Sequence, residues 1–186
     1  MRPARGLGGR AREDMGRQVS ALRVLGIDPG LTRTGYALVE RGGRLCDVGV
    51  FATAPGHPPE LRLAELYDGL GELFSGHRPD AVALERVFFN ANVKTAMAVG
   101  QAAGVALLAA ARAGVGVATY TPTEVKRAVV GVGNATKRQV GAMVAAALGL
   151  AAPPEPADAA DACALALCHL ARSRYAAALA RAGGGR

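Results

Sequence analysis

The apolar positions along the chain change period several times, and each change marks an element. From Val24 to Ile27 the run "VLGI" reads as a buried strand, and it ends on a carboxylate, Asp28. Pro29 and Gly30 make a turn, and Thr34 to Glu40 ("TGYALVE") reads as a second strand. A third strand is expected near 44–53. The connections "PGLTR" and "RGG" are short, as antiparallel hairpins require. Leu61, Leu66, Leu70 and Leu73 mark a helix near 59–75. "DAVALE" (80–85) repeats the pattern of the first strand, an apolar run closed by Glu85. The loop "RVFFNAN" leads to a long helix near 93–113, and "VGVATY" (115–120) reads as the fifth strand. Shorter helices are expected over 122–129 and 136–148. A last helix follows the Pro-rich link "AAPPEP", from about 157 to 180. Three hairpin strands followed by alternating helices and strands predict one α/β domain, with a five-stranded mixed sheet flanked by helices.

Composition narrows this picture. Of the 186 residues 51% are hydrophobic and only 4% aromatic, so the core is built mainly from small side chains. No continuous apolar stretch reads as a membrane span or a secretory leader, which predicts a cytoplasmic protein with no membrane contact. Cys46, Cys163 and Cys168 lack metal-ligand spacing and are expected to be buried free thiols. His57, His77 and His169 read as ordinary structural residues. Residues 1–20 are Gly/Arg-rich without periodicity, so a disordered extension is expected there, with Met15 a second possible start. The domain proper is expected over 21–172, followed by an Arg-rich tail over 173–186.

The net charge of +7 is unevenly placed. Residues 86–138 carry seven basic side chains and a single acid, Glu124, a stretch suited to a polyanion. Arg127 and Arg138 fit solvated helix faces. Against this basic block stand four acids. Asp28 and Glu85 each end an apolar strand, and "PADAADACALAL" places Asp158 and Asp161 three apart on one helix face. Taken singly, each has an ordinary explanation, since strand ends and first helical turns commonly carry acids. At one edge of the sheet, however, four carboxylates would repel and raise one another's pKa unless a cation joined them. Hard divalent ions such as Mg²⁺ or Mn²⁺ take oxygen ligands of this type. Two of them about 4 Å apart can clamp the attacking and leaving oxygens of a phosphoryl displacement.

Four segments carry a family resemblance: "GIDPGLTRTGYALVE", "ALERVFFNANVKTAMAVGQAAGV", "TPTEVKRAVVGVGNATKRQV" and "ADAADACALALCH". In this order and at these separations they resemble the RuvC-type Holliday-junction resolvases, over about residues 23–171. The resemblance implies a ribonuclease-H-like fold, a homodimer, and paired Mg²⁺-dependent nicks in four-way junction DNA, with two ions per site and Mn²⁺ as a substitute. It further implies a branch-migration helicase complex as a partner. The family's acids fall on Asp28, Glu85, Asp158 and Asp161. Some members carry His at the position of Asp158.

Around the acids, Phe88 sits in a loop where an aromatic can stack on an unpaired base or wedge between base steps. The resemblance assigns an aromatic there to junction binding. Val87 and Phe89 fit the core. Lys137 follows Thr136, a plausible N-cap, so that helix start offers amides and an ammonium to phosphate. Lys126 lies on the "TPTEVKRAV" helix, and the resemblance supports DNA contact by both lysines. The helix "AMAVGQAAGVALLAAA" is small and apolar almost all round, which predicts burial on more than one side. Gly100, Ala103, Gly104 and Leu107 would let a second copy approach there. "DPGLTRTG" also resembles the first phosphate loop of actin-like ATPases and sugar kinases. Those proteins usually need a second such loop, which this chain lacks.

Overall fold

The computed structural model describes residues 21–86 and 93–183. Phe88, Val87, Phe89 and the 1–20 extension therefore lie outside the described residues. Five strands form one sheet: β1 (Arg23–Asp28), β2 (Arg33–Glu40), β3 (Arg44–Ala52), β4 (Ala81–Glu85) and β5 (Gly116–Tyr120). Their order is β3-β2-β1-β4-β5. The pairs β1–β2 and β2–β3 are antiparallel, whereas β1–β4 and β4–β5 are parallel. The expected mixed sheet, with its first three strands antiparallel, is thus the sheet observed.

Helices cover both faces. On one lie α1 (Pro59–His77) and α2 (Val93–Arg112); on the other lie α3 (Pro122–Val130), α4 (Lys137–Leu148) and α5 (Ala157–Gly183). The two-residue period of β1 decides what each face receives. Leu25 and Ile27 join Leu66, Leu70 and Ala106 beneath α1 and α2. Val24 packs instead with Ala162, Cys163 and Ala166 of α5. Gly26 and Asp28 have the same parity as Val24, so Asp28 faces α5. In β4, Val82 and Leu84 pack with α1 and α2, Ala83 packs with α5, and Glu85 shares the parity of Ala83.

Two glycines allow α5 to settle on the sheet. A Cβ on Gly26 would run into the Ala162 carbonyl oxygen, and one on Gly35 would run into that of Asp158. With these positions bare, the first turns of α5 lie directly over the ends of β1 and β2. That close approach brings the "DAAD" segment to the edge of the sheet.

Several expectations need correction. One stretch, Thr95–Arg112, does reach the length and mean hydropathy (1.3) of a membrane span. Yet Ala102, Ala106, Ala109 and Ala110 bury one side of it against the domain's own core. Nor is α2 buried on more than one side within the chain. Ala103 faces inward, whereas Gly100 and Gly104 are exposed, and so are Met97, Leu107 and Leu108. An alanine-rich helix carries too little contrast around its circumference for sequence periodicity to locate the buried stripe. Cys163 and Cys168 are buried free thiols as expected, but Cys46 is only partly covered, because β3 is the edge strand. The last helix, expected from about 157 to 180, is α5 and runs to Gly183, so it takes in most of the Arg-rich segment from 173.

Candidate active site

The parallel register of β1 and β4 creates the site. Ile27 pairs with Leu84, so the next residues, Asp28 and Glu85, leave adjacent strands side by side at the same sheet edge. Their side chains interact directly, and that interaction favours the protonated form of Asp28. Burial, the Glu85 charge and the more distant Asp161 and Asp158 push the Asp28 carboxyl up to about 8.

The turn after Asp28 is locked from below. The Thr34 hydroxyl, 1% exposed, donates to the Gly30 carbonyl at 2.7 Å and accepts from the Gly30 amide at 3.3 Å. The Thr53 hydroxyl donates to the Leu31 carbonyl at 2.6 Å. This is why the chain can turn sharply after a partly buried acid: the backbone groups of the turn are paired by buried threonines.

Helix α5 brings Asp161 to the pair. Asp28, Glu85 and Asp161 line a cavity of about 310 Å³ with Lys126, Lys137 and the apolar Val125 and Val140. Lys137 Nζ donates to Asp161 Oδ2 at 2.9 Å. That bond and the carboxylates around it hold the Lys137 ammonium above its usual pKa. Both α3 and α4 begin at this cavity with complete capping boxes, Thr121 with Glu124 and Thr136 with Gln139. The positive ends of two helix dipoles therefore face the carboxylates, and would face a phosphate placed there. Behind α3, Arg172 bonds Glu124 at 2.8 Å and lies over the Tyr120 ring, tying α5 to the cap of α3. The histidines are occupied elsewhere, His57 with Glu65, His77 with Asp47 and His169 with Tyr120.

Asp158 stands apart. It does not line the cavity; its Oδ2 accepts from Arg33 Nε at 2.9 Å. Three helical positions separate Asp158 from Asp161, and each acid takes its own cation, Arg33 for one and Lys137 for the other. Among the described residues no three acidic, histidine or cysteine side chains stand as a ready-made metal cage. The donor set still fits a hard divalent cation. It is all carboxylate oxygen, and burial together with the neighbouring carboxylates raises the Asp28 pKa, which a cation would reverse. The sequence pattern does not single out Arg33. Its only signal is a lone base just after the turn that follows Asp28.

A mixed sheet in this order, with acids at the ends of its central parallel pair and an acidic helix laid over them, defines a ribonuclease-H-like nuclease. Known proteins narrow the class. The family model described as "Crossover junction endodeoxyribonuclease RuvC" matches residues 24–169. A RuvC from Salinispora arenicola is 55% identical over 175 residues, covering 89% of this chain and 100% of the relative. One from Chloroflexus aggregans is 53% identical, covering 80% of this chain and 92% of the relative. The Thermus thermophilus RuvC structure superposes with a TM-score of 0.79 at 39% identity, over 83% of this chain and 97% of that one. The same enzyme in complex with a Holliday junction substrate gives 0.80 at 40%, over 83% and 96%. The chain belongs to the RuvC family of crossover junction endodeoxyribonucleases.

Proposed function

We propose that the protein is a Holliday-junction resolvase, a structure-selective endonuclease that makes paired, symmetric nicks in four-way DNA junctions during recombination and repair. One observation carries the reading in a chain of this family: β1 and β4 set Asp28 beside Glu85, in one cavity with Asp161, Lys126 and Lys137. Asp28, Glu85 and Asp161, joined by Asp158 once it leaves Arg33, would hold two Mg²⁺ ions, with Mn²⁺ able to replace them. When bound there, such ions supply charge neutralisation and oxygen activation for phosphodiester hydrolysis. The protein's own part is to hold the scissile phosphate. Lys137 and Lys126 offer positive charge beside the acids, and the N-termini of α3 and α4 offer their dipoles. Phe88, three positions after Glu85 in the sequence, is assigned to the opened junction centre.

The exposed face of α2 supports a homodimer. Gly100 and Gly104 are exposed mid-helix glycines, and a Cβ on either would meet nothing within 4 Å. Glycine at such positions costs about 1 kcal/mol relative to alanine. Close approach of a second copy would offset that cost and cover Leu107 and Leu108. A two-fold dimer would present two sites to a junction that is itself two-fold. Residues 21–172 form the nuclease unit in this reading, between a Gly/Arg-rich extension (1–20) and an Arg-rich segment (173–186). A branch-migration helicase complex would be a further partner, and the DNA substrate implies a cytoplasmic location.

The test is to incubate the purified protein with synthetic four-way, Y-shaped and linear DNA, with and without Mg²⁺, and to map the cuts. The reading requires paired cuts at symmetric positions in the four-way junction only. Equal cutting of linear duplex would refute it.

A further inference from the structure

Beside the carboxylate cavity lies a second, larger cleft of about 920 Å³. One wall is the turn Gly30–Arg33 with Arg62 of α1; the other is the first half of α2, including Met97, Ala98 and Val99. Its charge is one-sided. Arg33 and Arg62 line it, and no carboxylate does so among the described residues.

Arg62 is the unusual member. Its Nε donates to the Thr53 hydroxyl and its Nη2 to the Thr32 hydroxyl, both at 2.9 Å. Two neutral hydroxyls fix the fork of the guanidinium without neutralising it, and among the described residues no carboxylate pairs with it. Thr53 is itself held, since its hydroxyl donates to Leu31 and its amide to the Thr32 carbonyl. The positive charge is therefore pre-oriented at the wall of a cleft, bonded through Thr32 to the turn that follows Asp28. Arg33 continues the line toward the acids. Its side chain is 48% exposed and its Nε donates to Asp158, which links the cleft to the first turn of α5.

We propose that Arg62 and Arg33, with the Gly30–Arg33 turn, form a second phosphate subsite that holds the DNA backbone next to the scissile phosphate. This rests on the resolvase reading and extends it. The strand would run from the carboxylate cavity over Arg33 into the cleft, its phosphates on the arginine wall and its sugars against Met97, Ala98 and Val99 of α2. A planar fork held at two corners suits bidentate phosphate contact, which a mobile lysine would not reproduce as a fixed geometry. As a backbone contact it would add affinity without reading sequence.

The structural alternative is that Arg62 merely clamps the turn. Salt dependence separates the two, because only a phosphate contact releases counterions. Binding of a synthetic four-way junction is measured by fluorescence anisotropy without divalent ions, across a series of potassium chloride concentrations. Each lost contact lowers the slope of log affinity against log salt by about 0.9. Arg62→Gln keeps hydrogen-bonding capacity but loses charge, so its slope should fall by about that amount, and Arg33→Gln should do the same. Arg62→Lys keeps the charge and should hold a slope near that of the wild type. Circular dichroism and urea unfolding report whether each variant is folded. A slope unchanged by Arg62→Gln, or lowered equally by Arg62→Lys and Arg62→Gln, overturns the subsite while leaving the resolvase reading intact. Failure of the wild-type protein to bind the junction at all would overturn both.

Discussion

Replacing Asp28 by asparagine should make the cation-free protein more stable, and increasingly so as the pH rises. The carboxyl is displaced from 3.8 to about 8 by burial and by the charges of Glu85, Asp161 and Asp158. The folded state therefore binds a proton that the unfolded chain releases, and stability falls as pH rises between those values. Below about 4 the contribution is fully present; above about 8 it is gone. Each pKa unit is worth about 1.4 kcal/mol, so the ceiling is roughly 6 kcal/mol. Water reaches the half-buried group, which brings the expected effect down to about 2–4 kcal/mol at pH 8. An amide keeps the shape and can donate to Glu85 but never ionises. Urea unfolding in EDTA from pH 5 to pH 9 should show the variant gaining on the wild type up to about pH 8 and the gap levelling off above it, with the two converging toward pH 4. Mg²⁺ should narrow the gap at pH 8 by stabilising the wild type alone. Parallel pH curves for the two proteins would refute the claim that Asp28 sits in an unneutralised acid cluster.

Gly35→Ala places a methyl against the Asp158 carbonyl, so it should lift the start of α5 and cut cleavage at least tenfold while junction binding changes little; a fully active variant would contradict the seating of α5. Gly104→Phe points into open space within the chain and should leave the unfolding midpoint nearly unchanged. In sedimentation the same variant should shift toward monomer and lose paired nicks, and a stable dimer would exclude this face. Phe88→Ala should slow cleavage more on a fully paired junction than on one with an unpaired centre, because unstacking costs a few kcal/mol per step. Lys137→Ala should slow both alike, so equal losses for Phe88→Ala on the two substrates would make Phe88 a packing residue.

Much of the site was legible in the chain because its pieces are local. An apolar run closed by an acid, as at Asp28 and Glu85, announces a strand end. The spacing of Asp158 and Asp161 places both on one helix face. That Asp28 and Glu85 are neighbours needed the parallel register, which no local pattern encodes. The pairing of Arg33 with Asp158 joins residues 125 positions apart, and that of Arg172 with Glu124 joins residues 48 apart. Gly26 and Gly35 look like weak strand residues until α5 is seen resting on them. The small-residue composition of α2 hid which side was buried, and with it the inward placement of Ala103. Asp158 was legible as an acid near the site, but its attachment to Arg33 was not.

The most direct measurement compares binding and cutting on one substrate. Wild-type protein, Asp28→Asn and Glu85→Gln are each titrated against the same labelled four-way junction. Affinity is read without divalent ions, and cleavage after Mg²⁺ is added. The account predicts affinities within about threefold of one another, since phosphate contacts rest on basic side chains, paired nicks by the wild type, and no cuts above background by either variant. Normal cleavage by either variant would contradict the assignment of the chemistry to the acids at the ends of β1 and β4.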